Sequence, residues 1–210
     1  MVSCILCDNP ATSEYFRNEK HHFLVCASCT TVFRHPESLI SPSAEKERYL
    51  AHHNDIKDSG YQEFVSPLVN LVSASFKTSA VGLDFGAGTG PVVAKLLAEK
   101  GYTVKLYDPF FHPNKTVLEK EYDFIICCEV IEHFHSPLKE FKLLKHLLKP
   151  NGKLFCMTSL WTGTKEEFAG WWYKNDSTHT LFYNPTNLKF IQEHCNYASV
   201  LIKENTIVFN

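Results

Sequence analysis

No apolar run among the 210 residues approaches the roughly 20 that crossing a bilayer requires. An excess of charge is missing too: the formal net charge is −2, so no overall field draws the chain to nucleic acid or to an anionic membrane. The opening Met1-Val2-Ser3-Cys4 has no basic segment leading into an apolar one and does not read as a secretory signal. Internal repeats and low-complexity stretches are likewise absent from the sequence. The expectation is a cytoplasmic protein with one medium domain and a small appendage. A content of 44% hydrophobic and 21% charged residues is ordinary for a chain with a real core.

Cysteine, in contrast, is plentiful at eight residues. Four of them fall as Cys4-x2-Cys7 and Cys26-x2-Cys29, with 18 residues between the pairs. Each pair supplies two thiolates from a tight turn, and two such turns complete a tetrahedron around Zn2+. The competing reading, two disulfides, is disfavoured in a cytosolic setting. Residues 1–41 are therefore expected to form a zinc-binding module, with Phe23-Leu24-Val25 and Thr31-Val32-Phe33 as short strands. So short a segment buries too little apolar surface to fold unaided, and a structural zinc ion supplies on the order of 10–16 kcal/mol. The module sets Arg17, Lys20 and Arg34 against Asp8, Glu14, Glu19 and Glu37, which is no basic stripe for reading nucleic acid. Cys127, Cys128, Cys156 and Cys195 stand in apolar or helical contexts and read as small buried hydrophobes.

The most informative stretch is Val81-Gly82-Leu83-Asp84-Phe85-Gly86-Ala87-Gly88-Thr89-Gly90. An apolar strand ends in an acidic residue, and three glycines follow at every second position. That spacing permits a sharp turn with bare backbone for a ligand to lie against. Pro91 onward reads as a helix. A dinucleotide loop needs its third glycine one residue later, where Pro91 stands. The stretch resembles the acidic-x-G-x-G-x-G loop of class I S-adenosylmethionine (SAM)-dependent methyltransferases through Asp84, Gly86, Gly88 and Gly90. The resemblance covers roughly residues 80–210. It implies a Rossmann-like α/β sheet, SAM as methyl donor, and a second acidic residue ending the next strand, which Asp108 does after Tyr102–Tyr107. Ala87 and Pro109 join the expected cofactor contacts as neighbours of these residues.

Only 13 residues, Pro109–Glu121, separate that strand from Tyr122–Cys128. Related enzymes place a helix and a further strand there, and so short an interval holds no such pair. The sheet edge is expected to be trimmed. Glu129-Val130-Ile131-Glu132-His133-Phe134-His135 follows Cys128 and is similar to an E-x-x-E-H stretch of many small-molecule methyltransferases, which implies that Glu129 and Val130 line the cofactor cleft. Ser136 and Pro137 open a helix with Leu138, Phe141, Leu144, Leu147 and Leu148 on its buried side, and Lys149–Gly152 reads as a turn into a strand.

Residues 42–79 read as a helical linker or lid, with Phe64, Leu68, Leu71 and Val72 packing on the sheet and Tyr49, His53 and Tyr61 over the cofactor site. The aromatic segment Trp161–Tyr183 reads as an acceptor-binding insertion before a last helix and a terminal hairpin. Methyl transfer to oxygen or nitrogen requires removal of a proton, a task suited to histidine, and His133, His135 and His179 are the candidates. The expected partner is a small-molecule acceptor, with neither nucleic acid nor membrane. Two alternatives stand beside this reading: a zinc-ribbon binding protein without catalysis, and a nicotinamide-dependent oxidoreductase.

Overall fold

Tyr122–Cys128 carries Phe124 and Ile126 towards one side and Ile125 and Cys127 towards the other, all four fully buried. A strand apolar on both faces belongs inside a parallel sheet with helices above and below. The computed structural model describes residues 2–51 and 55–210 and has this layout. In chain order the elements are β1 (Thr12–Arg17), β2 (His22–Cys26), β3 (Val32–Arg34), α1 (Pro42–Leu50), α2 (Ser59–Ser75), β4 (Val81–Phe85), α3 (Val92–Glu99), β5 (Thr103–Tyr107) and β6 (Tyr122–Cys128). There follow α4 (Pro137–His146), β7 (Leu148–Met157), α5 (Lys165–Phe168), β8 (Leu181–Phe182), α6 (Pro185–His194), β9 (Val200–Lys203) and β10 (Thr206–Phe209).

The large sheet runs β5-β4-β6-β7-β10-β9, parallel through its first four strands and antiparallel in the terminal hairpin. One face is covered by α2 and α3 through Val65, Leu68, Val69, Val72, Val93 and Leu97. The other meets α4 and α6 through Phe141, Leu144, Leu188 and Ile191. The trimmed edge is as expected: residues 109–121 contribute a single bridge between Asp108 and His112 and a 3-10 turn at Lys115–Glu119, so β5 is the outermost strand there. Among the described residues no helix is long and apolar enough to cross a membrane.

Several local expectations are corrected. The buried stripe of α2 is Val65, Leu68, Val69 and Val72, which leaves Phe64 exposed and Leu71 only half-buried. Lys149–Gly152 is drawn into β7 as a bulge, since the pairing with β6 jumps from Tyr122–Leu148 to Phe124–Lys153. Cys128 is not fully buried and borders the central cavity.

The largest correction concerns the aromatic segment. A second sheet, β1-β2-β3-β8, takes its last strand from that segment, with Val32 opposite Phe182 and Phe33 opposite Leu181. Trp161, Phe168, Tyr173 and Phe182 pack with Phe23 and Val32, so most of these rings are core between the N-terminal strands and the rest of the chain. Arg34 reinforces the junction: its buried guanidinium donates to the carbonyls of His179 (2.9 Å), Asp176 (2.8 Å) and Lys174 (3.3 Å).

Candidate active site

The glycine turn begins where β4 ends. The amides of Gly86 and Ala87 both donate to the Tyr107 carbonyl, at 2.8 and 3.1 Å, which ties the turn to the end of β5. Gly86 has φ +80° and Gly88 φ +60°, left-handed conformations that favour glycine. A Cβ on Gly86 would lie 2.5 Å from the Val130 side chain, whereas one on Gly88 would meet nothing among the described residues within 4 Å. The space over Gly88 is the bare cradle that a ligand needs. Asp108 closes it: Oδ2 accepts from the Gly88 amide at 3.0 Å, and Oδ1 accepts from Phe110 and Phe111 at 2.8 and 3.0 Å. Asp84 lies beneath, and burial, with the Asp108 charge as a smaller contribution, pushes its carboxyl up to about 7.

One cavity of about 1140 Å³ opens above this turn. It is lined by Asp84, Gly86, Ala87, Gly88, Gly90, Asp108, Pro109, Glu129, Val130, His133, His135 and His179, so the expected cofactor-side and histidine residues share one space. Tyr49 and Tyr61 border it as well, while His53 lies outside the described residues. Of the aromatic segment, Tyr173 and the 69% exposed Trp172 reach the cavity.

Part of the cavity wall is acidic. Glu129 sits in left-handed backbone at φ +52°, an uncommon conformation for a side-chain-bearing residue, with its amide donating to the Met157 carbonyl at 2.8 Å. Burial and then the neighbouring Glu132 charge push its carboxyl up to about 9. Glu132 is fully buried, and its Oε2 has no hydrogen-bond partner among the described residues. The Tyr173 hydroxyl reaches Glu132 Oε1, Glu129 Oε2 (3.0 Å) and Thr158 Oγ1 (3.1 Å). A phenol has one proton, so it serves one carboxylate at a time.

Two histidines flank this acidic pair. His133 Nδ1 lies 3.1 Å from the Thr178 carbonyl, and His179 Nδ1 lies 2.8 Å from the Tyr173 carbonyl. Burial pushes the His179 imidazole down to about 3. His135 is half-exposed and pairs with Glu45 at 3.5 Å, a contact that raises it. The sequence alone gives Glu132 no role of its own and gives Tyr173 only a share in the aromatic acceptor segment. The E-x-x-E-H spacing was a signal for the first; nothing local distinguishes Tyr173 from its aromatic neighbours.

The four cysteines of the N-terminal module also converge. Cys4 and Cys29 sulfurs lie 3.5 Å apart, as do those of Cys7 and Cys26, and all four fall within 4.8 Å of one another. All are free thiols. A disulfide needs about 2.05 Å, whereas ligands about 2.3 Å from a tetrahedral centre stand roughly 3.8 Å apart. The geometry fits a thiolate-bound metal. Both turns close alike, with Asp8 and Thr30, each just after the second cysteine of its pair, in left-handed backbone at φ 58° and 59°.

Comparison with known proteins agrees with this architecture. The family described as "Methyltransferase domain" matches residues 58–201, well over half of the chain. The ubiquinone biosynthesis O-methyltransferase of Serratia proteamaculans (strain 568) is 30% identical over 77 residues, which span 37% of this chain and 32% of that protein. The 1,6-didemethyltoxoflavin-N1-methyltransferase of Burkholderia thailandensis superposes with a TM-score of 0.58 at 14% identity, covering 94% of this chain and 97% of that one. Human N-acetylserotonin methyltransferase gives 0.55 at 15% identity over 81% of this chain and 56% of its own. The chain thus spans about a third of the Serratia protein and just over half of the human one. On the glycine turn, the sheet order and the match over residues 58–201, the chain belongs to the methyltransferase-domain family, with the Rossmann-like α/β fold of class I SAM-dependent methyltransferases.

Proposed function

We propose that this chain transfers the methyl group of SAM to a small-molecule acceptor. The observation that carries the proposal is the cradle over Gly88, open to a Cβ and closed on one side by the Asp108 carboxylate. Gly86, Ala87, Gly88 and Gly90 would lie against the donor, with Asp84, Pro109, Glu129 and Val130 around it. Asp108 would accept hydrogen bonds from the ribose hydroxyls. When bound, SAM supplies an electrophilic methyl on a positively charged sulfur. The chain's task is alignment, and positioning alone is worth roughly 7–11 kcal/mol. His133, His135 and His179 stand on the acceptor side as groups to remove a proton where the acceptor must lose one. Residues 1–41 act as a zinc-binding module through Cys4, Cys7, Cys26 and Cys29, residues 42–79 as a helical linker and lid, and 80–210 as the methyltransferase domain.

Calorimetric titration with S-adenosylhomocysteine and with NADH tests the reading. S-adenosylhomocysteine is expected to bind and NADH not to. Asp108→Asn, which deletes a charged acceptor worth about 1.5–3 kcal/mol, should weaken binding about 10- to 100-fold. Binding of NADH alone would make the chain a nicotinamide protein, and binding of neither would leave a binding module without this chemistry. Replacing the base with alanine should lower turnover about 10²–10⁴-fold with little change in S-adenosylhomocysteine affinity. Turnover intact in all three alanine variants would mean catalysis by proximity.

A further inference from the structure

Glu132 presents a problem that the methyltransferase reading alone leaves open. A fully buried carboxylate normally has both oxygens satisfied or a cation beside it. Here Oε1 meets the Tyr173 hydroxyl while Oε2 has no hydrogen-bond partner among the described residues, and the same hydroxyl joins a second buried carboxylate, Glu129. Among the described residues neither glutamate has a lysine or arginine ion-pair partner; the basic side chain beside Glu132 is His133, with Nε2 at 4.0 Å from Oε1.

The histidines show what belongs there. A carbonyl oxygen only accepts, so His133 and His179 must each carry a proton on Nδ1 to bond the carbonyls of Thr178 and Tyr173. In a neutral ring that leaves the lone pair on Nε2. Outer-shell carbonyls fix metal-ligating histidines in this way. One ligand atom each from Glu132, His133 and His179 comes together within 4.8 Å at the wall of the cavity.

We propose that Glu132, His133 and His179 bind a divalent cation, with Glu129 completing the charge balance through Tyr173, and that this cation receives the acceptor's oxygen. The proposal rests on the methyltransferase reading of the cavity and narrows its acceptor to an oxygen nucleophile. A dication beside Glu132 would also favour ionisation of Glu129, which burial and the Glu132 charge otherwise oppose, and two carboxylates with a dication then leave no net charge in the buried pocket. Three protein ligands leave positions open towards the cavity, as catalytic rather than structural metal sites do. The cation would draw electron density from a hydroxyl and ease loss of its proton to solvent. The oxygen's lone pair then forms the bond to the methyl carbon as the C–S bond breaks, its electron pair going to sulfur. The products are a methyl ether, S-adenosylhomocysteine and the released proton. His133 and His179 thereby become ligands rather than bases.

The test uses full-length protein with its cysteine site already filled by zinc, and Mn2+ as probe. Loss of the free-ion electron paramagnetic resonance signal counts bound Mn2+, water-proton relaxation reports open positions, and S-adenosylhomocysteine binding is measured on the same samples. The expected result is one Mn2+ per chain, still carrying exchangeable water, with affinity at least 10-fold lower in both Glu132→Gln and His133→Gln. The half-buried His133 serves as second variant should the buried Glu132→Gln fail to fold. Wild-type protein that binds S-adenosylhomocysteine but no Mn2+, or binds Mn2+ equally well in both folded variants, overturns the cation site and leaves the cofactor reading intact. A bound Mn2+ without exchangeable water overturns its role towards the acceptor. Mn2+ lost from the variants, in protein that never binds S-adenosylhomocysteine, supports the cation site and overturns the cofactor reading.

Discussion

The N-terminal module and the central cleft both gather polar ligating groups, yet their surroundings differ. Around Cys4, Cys26 and Cys29 the chain is shut: these residues are buried among Leu6, Leu24 and Phe33, and the two turns are locked by Cys26 and Cys4 carbonyls accepting from Thr30 and Asp8. Around Gly88, Glu132 and His133 it is open to about 1140 Å³ of space. The closed region is organised to hold the chain together, and the open one to receive something from outside. The two touch through Arg34, whose guanidinium secures the 174–179 loop that carries His179. The closed module therefore supplies part of the frame of the open site.

If this contrast holds, variants on the closed side should reduce stability and variants on the open side should reduce binding. The largest effect is expected from Cys4→Ser with Cys29→Ser, which removes a structural site worth on the order of 10–16 kcal/mol. Elemental analysis should find the zinc gone, and thermal melting should show no cooperative N-terminal sheet. Next comes a contrast within the aromatic segment. Trp161→Ala, in the buried cluster, should cost about 3–5 kcal/mol in urea unfolding, while exposed Trp172→Ala should stay within about 0.5 kcal/mol and alter only acceptor KM.

Asp84 then tests how the open site burdens the fold. Its folded carboxyl is raised from 3.8 to about 7 by burial. Below about pH 4 both states hold the proton and nothing is lost. Between about 4 and 7 the unfolded chain ionises first, so stability falls as pH rises, by about 4 kcal/mol in all at roughly 1.4 kcal/mol per unit. Asp84→Asn should flatten that slope in urea midpoints measured from pH 4 to 8. Gly88→Ala should cost less stability than Asp84 does, about 1–2 kcal/mol for left-handed backbone with nothing among the described residues for the Cβ to strike, yet it should abolish calorimetric binding of S-adenosylhomocysteine.

What could be read from the chain alone follows from where each constraint originates. The turn at Gly86–Gly90 is a local backbone demand, so its glycines declare themselves, and the trimmed edge follows from counting residues 109–121. The cysteine pairs are equally local. The segment Trp161–Tyr183 reads as acceptor-binding in the sequence, yet an aromatic ring suits a ligand or a core equally well, and Trp161 and Phe168 are core. Their partners, Phe23 and Tyr15, lie far back in the sequence. Glu132 and Tyr173 meet only once the sheet and the following loop are in place, and no spacing announces that encounter. On α2 Leu68 and Val72 are buried as expected, whereas Val65 and Val69 take the places of Phe64 and Leu71, because both sets lie at helical spacing and only packing chooses.

The pairing of β3 with β8 carries a consequence for biosynthesis. Phe33 leaves the ribosome 148 residues ahead of its strand partner Leu181. At about 5–20 residues per second the wait is on the order of ten seconds. Throughout that time the outer edge of β3 offers unpaired amides and carbonyls to any passing strand. The proposed capture of zinc by the cysteine turns, whose four ligands all precede β3, would give the nascent segment an ordered hairpin to keep until its last strand arrives.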